Sequence, residues 1–240
     1  IVPMFHANAW GLPYAALMAG ADLVLPDRHM DATSMVDLIE TQRPTVAGAV
    51  PTIWNDVMNH LDRNPGHDIS SLRMVPCGGS AVPVSLMKAF EEKFGVQIRQ
   101  LWGMTETSPI ATIAWPPPGL SAERQWEIRA TQGRPMCGVE TRIVDDEGGV
   151  LPSDGEAVGE LEVRGPWITG SYYRNTDDSK FQSGWLRTGD VGRIDEQGYI
   201  TLTDKCWHPY SLGRQRIVDA LAMDRIARGI DAQAQIDRPG

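Results

Sequence analysis

One nine-residue segment, 101–109 (LWGMTETSP), combines four groups that together suit a nucleotide. The ring of Trp102 can pack on a base, and Gly103 lets the backbone approach a ligand closely. The hydroxyl of Thr105 can bond a phosphate oxygen, and the carboxylate of Glu106 can hold Mg²⁺, which prefers hard oxygen ligands. The alternative interpretation is a strand end followed by a polar turn, with Trp102 in the core.

The elements before this segment predict where it lies in a sheet. It follows a predicted strand, 96–100, in which Val96 and Ile98 alternate with polar neighbours. An earlier predicted strand, 72–76, leads into the glycine loop 78–80 and then into a helix. This order is typical of α/β folds, whose parallel sheets bind ligands at the carboxyl ends of their strands. Both loops leave such ends, so we expect them to converge on one ligand. By itself, a Gly-Gly pair is more often a plain turn.

Further elements are predicted on both sides of the two loops. Apolar spacing predicts helices over 31–42, 52–61 and 121–131, and short strands over 21–25 and 45–50. The helix over 31–42 has Asp31 or Thr33 available as its N-cap.

The chain changes character from residue 131. Short β-prone runs then alternate with glycine turns, which is typical of small antiparallel barrels. The predicted strands are 138–144, 159–163, 191–194 and 199–202, with a hairpin turn at 195–198 and a separate turn at 188–190. The predicted fold is therefore α/β, with a parallel-type αβ layer over 1–130 followed by an antiparallel β-barrel-like subdomain over 131–205. Residues 206–240 form a tail of different composition.

Bulk composition argues against several classes of protein. The chain has 240 residues and a formal net charge of −9, which argues against a general nucleic-acid binder. Its three cysteines are scattered and form no CxxC pair, which argues against a zinc site and suits a reducing compartment. No apolar run reaches the roughly 18 residues of a membrane span, and no signal peptide is recognisable.

Five ordered motifs resemble those of the adenylate-forming (AMP-binding) superfamily. They are 3–14 (PMFHANAWGLPY), 77–83 (CGGSAVP), 101–109, 165–173 (GPWITGSYY) and 185–191 (WLRTGDV). The wording of the first is most similar to the medium- and long-chain fatty-acyl-CoA synthetases, also called fatty acid–CoA ligases. The resemblance extends from residue 1 to about residue 205, and it implies a fragment that covers the later part of the superfamily's N-terminal domain.

The resemblance gives the two loops specific roles. The residues that it implies hold the nucleotide are Gly78, Gly79, Ser80, Trp102, Gly103, Met104 and Thr105. It also implies that Thr105 contacts the α-phosphate and that Glu106 holds Mg²⁺. Tyrosine is commonest in the superfamily where this chain has Trp102, so the aromatic plane is kept and the phenolic hydroxyl is lost.

Four residues outside the loops also receive roles from the resemblance. Asp190 is implied to receive the two ribose hydroxyls, although by itself a Thr-Gly-Asp sequence is more simply a turn. Lys205 stands where arginine is usual on the ribose, and it keeps the charge without the planar fork. His6 is implied to lie near the carboxylate that is activated, as a catalytic residue, and Trp10 to gate the acyl tunnel. Without the resemblance, a lone histidine such as His6 is more often structural than catalytic, and Trp10 is equally well a core ring.

The implied activity is that of an ATP-dependent fatty acid–CoA ligase, an AMP-forming acid–thiol ligase of lipid metabolism. Such an enzyme activates a carboxylate as an acyl-adenylate with Mg²⁺ and transfers the acyl group to coenzyme A. The alternatives are an inactive fragment that retains part of the nucleotide and acyl pocket, and a nucleotide-binding module without catalysis.

Several expectations concern the ends of the chain and its surroundings. The sequence lacks the superfamily's Ser/Thr/Gly-rich phosphate loop and its C-terminal lysine, and it has no initiator methionine. We expect the tail over 206–240 to be divergent or frameshifted. The resemblance implies a cytoplasmic location. It leaves open a peripheral membrane contact, a homodimer and the acyl chain length.

Overall fold

The chain divides into two compact units, Ile1–Met136 and Cys137–Gly240. The structure, a computed structural model, describes residues 1–174 and 179–205, so the predicted tail 206–240 lies outside the described residues. Across that described part, no helix has both the length and the apolar character needed to cross a membrane.

The first unit is built on a four-stranded mixed sheet. Its strands lie in the order β1 (Met74–Cys77), β2 (Gln97–Gly103), β3 (Ile110–Ile113) and β4 (Arg134–Pro135). β1 and β2 are parallel, whereas β3 runs antiparallel to both β2 and β4. The parallel pair is the part of the sheet from which the two predicted nucleotide loops emerge.

Helices precede and connect these strands, and local sequence explains where some of them begin and end. They are α1 (Ala7–Trp10), α2 (Leu12–Met18), α3 (Ala32–Gln42), α4 (Pro51–Arg63), α5 (Val84–Phe94) and α6 (Ala122–Arg129). Asp31 caps α3, because its carboxylate accepts the Ser34 N–H at 3.0 Å, and bonds from the backbone and hydroxyl of Ser34 lower the pKa of that carboxyl. Gly95, at φ 68°, ends α5.

The first helical element is a single left-handed turn. All four residues of α1 have φ between 45° and 57°, and Gly11 follows at φ 72°. Non-glycine residues rarely adopt this conformation, because the Cβ then approaches the next carbonyl oxygen.

The core of the first unit lies where α3, α4 and α5 meet the parallel strands. Trp54 on α4 and Phe90 on α5 are both fully buried, and their rings meet edge to face at 5.7 Å between centroids. The predicted helices over 31–42, 52–61 and 121–131 are all present, with bounds moved by up to two residues.

Two predicted strands of the first unit are not formed as expected. Residues 21–26 have no regular structure, and both Leu23 and Leu25 are exposed, so the predicted strand over 21–25 is wrong. The run over 45–50 makes only two isolated parallel bridges to β1, at Val46 and Ala49. A short apolar run becomes a strand only where a neighbour pairs with its backbone, and its composition does not specify that neighbour.

The second unit is an antiparallel sheet. Its strands are β5 (Glu140–Val144), β6 (Gly159–Arg164), β7 (Phe181–Gln182), β8 (Trp185–Ile194) and β9 (Ile200–Lys205). The order is β5-β6-β8-β7, and β9 pairs with β8. The predicted hairpin at 195–198 joins β8 to β9 and is confirmed, with Asp195 Oδ1 accepting the N–H of Tyr199 at 2.8 Å. The predicted α/β fold class is confirmed.

The predicted turn at 188–190 is wrong, because these residues lie inside β8. Glu160 of β6 pairs with Val191, and Glu162 pairs with Arg187. Leu161 alone on β6 therefore faces three residues of β8, which form a bulge. Turn-forming residue types fit such a bulge as readily as a chain reversal, so the sequence pattern did not distinguish the two.

Candidate nucleotide site

The two predicted nucleotide loops of the first unit leave neighbouring parallel strands. Cys77, the last residue of β1, pairs with Gln100 of β2. Gly78 then lies so close to β2 that a Cβ on it would be 2.9 Å from the carbonyl oxygen of Leu101. This approach needs glycine, and it brings the backbone of the glycine loop against the start of the 101–109 segment.

The rest of the glycine loop faces outward. Gly79 and Ser80 are exposed, and Gly79 has φ +85°. A Cβ at Gly79 would lie 3.2 Å from Val50 Cγ1, so the loop also touches the residue before α4. The backbone N–H groups and the Ser80 hydroxyl are the kind of donors that can bind an anion.

β2 continues further than the sequence predicts, through Trp102 and Gly103. Trp102 pairs with Thr112 of β3 and is 4% exposed, so most of its ring is covered, as in the alternative core interpretation. Stacking of this ring on a base stays a prediction. A Cβ on Gly103 would overlap the carbonyl oxygen of Pro109, because the chain turns back at this point. Gly103 is thus required by close backbone approach.

A buried hydroxyl shapes the turn that follows. Thr107 is fully buried, and its Oγ1 accepts the N–H of Met104 at 2.9 Å. The Thr107 hydroxyl hydrogen has the carbonyl oxygens of Met104 and Pro109 within reach. With Thr107 directed inward, Thr105 is exposed and Glu106 is half-buried on the short 3₁₀ turn Thr105–Thr107.

The exposure of Thr105 and Glu106 is compatible with their predicted contacts to phosphate and Mg²⁺. An exposed hydroxyl can reach a phosphate oxygen, and a partly exposed carboxylate can hold Mg²⁺ together with phosphate and water oxygens.

Cys77, which lies beside the loops, differs from Thr105 and Glu106 in its reactivity. Burial raises the pKa of its thiol to about 12, so it stays protonated at neutral pH and is unsuited to act as a nucleophile.

The sequence patterns did not identify Gln100. Its side chain is 2% exposed, and its Oε1 accepts the N–H of Val82, at the far end of the glycine loop, at 2.5 Å. Its Nε2 donates to the carbonyl oxygen of Thr131 at 2.6 Å. One signal was available, because Gln100 continues the inward alternation of Val96 and Ile98 and so places an amide where an apolar residue is expected.

The two predicted acyl-site residues differ in exposure. His6 is exposed. Trp10 is 8% exposed and lies near the end of β1, because a Cβ on Gly48 would be 3.8 Å from Trp10 Cε3 and 3.6 Å from the carbonyl oxygen of Pro76. The roles of His6 as a catalytic residue and Trp10 as a gate stay predictions.

In the second unit, Asp190 lies in the β8 bulge. Its N–H donates to Thr188 Oγ1 at 3.1 Å, and Thr188 Oγ1 donates to the carbonyl oxygen of Leu161 at 2.7 Å. The N–H of Gly189 donates to Glu160 Oε1 at 3.1 Å. Lys205 is the backbone partner of Asp190 across β8 and β9. The structure thus pairs the two residues predicted for the ribose, whose roles stay predictions.

One group of potential metal ligands lies outside the predicted site. Asp37, Glu40 and His67 each place a ligand atom within 4.8 Å of the others. Glu40 Oε2 pairs with His67 Nδ1 at 2.9 Å, and Glu40 Oε1 accepts the N–H of Asp68 at 3.0 Å. The hydrogen bonds from His67 and Asp68 lower the pKa of Glu40, and together they attach the loop after α4 to α3.

The chain matches the family described as AMP-binding enzyme over residues 1–173. It is 44% identical over 208 residues to the 3-methylmercaptopropionyl-CoA ligase of Ruegeria lacuscaerulensis, a match that covers 85% of this chain and 38% of that protein. It is 41% identical over 211 residues to the long-chain-fatty-acid–CoA ligase of Thermus thermophilus, covering 85% of this chain and 39% of that protein. The chain therefore spans about two fifths of the length of these curated relatives.

A solved structure is similar to most of this chain. The O-succinylbenzoate coenzyme A synthetase of Bacillus subtilis, in complex with ATP and a magnesium ion, is 28% identical to this chain with a TM-score of 0.70. The similarity covers 85% of this chain and 41% of that chain.

Proposed function

The chain belongs to the family of AMP-binding enzymes, and on this premise we propose that it supplies part of the site of an ATP-dependent acid–CoA ligase. In the proposed reaction a carboxylate oxygen attacks the α-phosphorus of ATP, and pyrophosphate leaves. The thiol of coenzyme A then attacks the acyl carbon, its proton is lost, and AMP leaves. Catalysis of this kind depends mainly on positioning and on the stabilisation of charge at the phosphate.

Individual residues of the chain have distinct tasks in this proposal. The hydroxyl of Thr105 donates to an α-phosphate oxygen, and the carboxylate of Glu106 holds Mg²⁺. When bound, Mg²⁺ neutralises charge on the phosphate oxygens. Gly78, Gly79 and Ser80 border the base. Asp190 and Lys205 receive the ribose, and His6 and Trp10 border the acyl group, as the family resemblance implies.

The observation that supports the proposal best is the turn at 104–109. Its buried Thr107 hydroxyl fixes a backbone path on which Thr105 is exposed and Glu106 is half-buried. That turn follows a strand whose parallel neighbour ends in the glycine loop, and the family match includes both segments.

We propose an aliphatic acid as the substrate, a fatty acid in the first instance. Two relatives more than 40% identical to this chain carry the names of ligases for long-chain fatty acids and for 3-methylmercaptopropionate, and both of these acids are aliphatic. Coenzyme A as the acceptor and a cytoplasmic location are parts of the same proposal.

A pyrophosphate-release assay tests the proposed reaction. The 240-residue chain is incubated with ATP, Mg²⁺ and, in turn, octanoate, palmitate, 3-methylmercaptopropionate and the aromatic acid 2-succinylbenzoate. We expect release that requires both ATP and an aliphatic acid. In Glu106→Gln it should fall at least about 100-fold, a loss typical of removing one group that stabilises transition-state charge.

Glu92→Gln is the matched control, because it makes the same chemical change at an exposed position on α5. The control should release pyrophosphate at the wild-type rate. Equal release by Glu106→Gln and the wild type would contradict the role of Glu106. A folded wild-type chain that neither binds ATP nor releases pyrophosphate would contradict the proposed function for this chain.

A further inference from the structure

The glycine loop has Gln100 beside it at both of its ends. At its start, Cys77 pairs through its backbone with Gln100 across the parallel strands. At its far end, the N–H of Val82 donates to the side-chain Oε1 of the same glutamine at 2.5 Å. Gln100 of β2 therefore lies beside the start of the loop and bonds to its far end.

The same residue also joins the loop to the other side of the site. The backbone carbonyl of Gln100 accepts the N–H of Ala114, just after β3, at 2.9 Å. Its Nε2 donates to the carbonyl oxygen of Thr131 at 2.6 Å. Thr131 in turn accepts the N–H of Gly133 at 3.0 Å through its hydroxyl. The side-chain amide and the backbone carbonyl of Gln100 thus connect β2 to three other segments, at Val82, Ala114 and Thr131.

The burial of Gln100 raises the free-energy cost of losing these hydrogen bonds. Gln100 is 2% exposed, so an amide without partners there would carry the full cost of desolvation. A methionine of similar shape would fill the same volume without that cost, but it would leave the Val82 N–H and the Thr131 carbonyl without this partner. The chain retains an amide at an inward position of β2, where the alternation with Val96 and Ile98 favours an apolar side chain.

We propose that Gln100 is a positioning residue, which holds the loop 78–82 at a fixed distance from the Thr105–Thr107 turn and thereby sets nucleotide affinity without touching the nucleotide. Only the second part of this inference, the effect on nucleotide affinity, rests on the proposed function. The position of the loop is a property of the chain alone, so it can be measured with or without a ligand.

Hydrogen–deuterium exchange of the 240-residue chain tests the first part of the inference, the position of the loop 78–82. In Gln100→Met we expect the amide of Val82 to exchange at least about 10-fold faster, since it loses a buried acceptor. The amides of Gly79 and Ser80 should also exchange faster, whereas the exchange rates of the amides of α3 should stay the same. Thr112→Val is the matched control, because it removes a buried side-chain bond of 2.5 Å to the Gln132 carbonyl without touching the glycine loop.

Titration with AMP tests the second part of the inference, the effect on nucleotide affinity. Gln100→Met should bind AMP about 10-fold more weakly, which corresponds to one lost positioning interaction. Thr112→Val should bind as tightly as the wild type even if it is equally destabilised towards urea. At pH 6, Gln100→Glu should recover much of the AMP affinity, because a buried carboxyl favours its protonated form and can then make both bonds.

The outcomes separate this proposal from the proposed function. Wild-type exchange at Val82 in a folded Gln100→Met variant would overturn the positioning role, and so would equal loss of AMP affinity in Gln100→Met and Thr112→Val. If Gln100→Met does not fold, Gln100→Glu at pH 6 and pH 8.5 decides by the same two readouts. If the wild type does not bind AMP, the proposed function fails, and Val82 exchange alone decides the role of Gln100.

Discussion

Two segments with predicted nucleotide residues interrupt their strands by different means. In the 103–109 turn of the first unit, the backbone is so close to itself at Gly103 that a Cβ would overlap the Pro109 carbonyl oxygen. In the β8 bulge of the second unit, a Cβ on Gly189 would meet nothing within 4 Å, and the Glu160 carboxylate holds the backbone. The first is held by close packing at Gly103 together with the buried Thr107 hydroxyl, and the second by polar bonds to a backbone with more space around it.

The difference teaches what each segment tolerates. At Gly103 the 103–109 turn has no room for an added atom, so this position is constrained by volume. The β8 bulge has room, but Gly189 has φ +77°, which other residues adopt only with strain. Substitutions in the two segments should therefore differ in size and in physical cause.

The largest expected effect is that of Gly103→Ala. The new methyl group forces the backbone to move at Pro109 or Thr107, and we expect a loss of at least about 3 kcal/mol in the free energy of unfolding. Gly189→Ala is the matched control, with a cost of about 1 kcal/mol from its positive φ. Urea unfolding followed by circular dichroism measures both. Equal losses in the free energy of unfolding for the two variants would contradict the proposed difference between the two segments.

The second effect is that of Thr107→Val, which keeps the shape of the side chain and removes the hydroxyl. The N–H of Met104 loses its buried acceptor, so we expect a loss of about 2 kcal/mol. Nucleotide binding should weaken as well, because Thr105 and Glu106 lie on the turn that this hydroxyl shapes. A variant with wild-type stability and affinity would show that packing alone holds the turn.

The smallest effect is that of Glu160→Gln in the second unit. The ion pair with Arg187 is lost, while an amide oxygen can still accept the N–H of Gly189. Both side chains of the pair are only partly buried, so we expect a loss of about 0.5 kcal/mol, measurable as a small shift of the urea midpoint. A loss above about 2 kcal/mol would mean that charge holds the bulge far more strongly than the contrast assumes.

Local signals in the sequence predicted much of the fold. The cap at Asp31 and the hairpin at 195–198 depend on neighbouring residues, and both of these elements are present. The strand over 21–25 and the turn at 188–190 depend on pairing with distant strands. No local pattern determines such pairing, and both predictions were wrong.

The family that the motifs resemble is confirmed. The residue types of Gly78, Gly103, Thr105 and Glu106 favoured a ligand, and their roles in binding it stay predictions. The residues that shape the loops, Thr107 and Gln100, were missed because their partners are backbone atoms brought close only by the fold. A polar residue at an inward strand position is the signal that would have found Gln100.

The most direct test of the central claim is a calorimetric titration of this chain with a non-hydrolysable fatty-acyl-adenylate analogue, with and without Mg²⁺. We predict micromolar binding that is stronger with Mg²⁺ and that loses its Mg²⁺ dependence in Glu106→Gln. No binding by a cooperatively folded chain, or the same Mg²⁺ dependence in Glu106→Gln and the wild type, would contradict the assignment of the 101–109 segment as a nucleotide site.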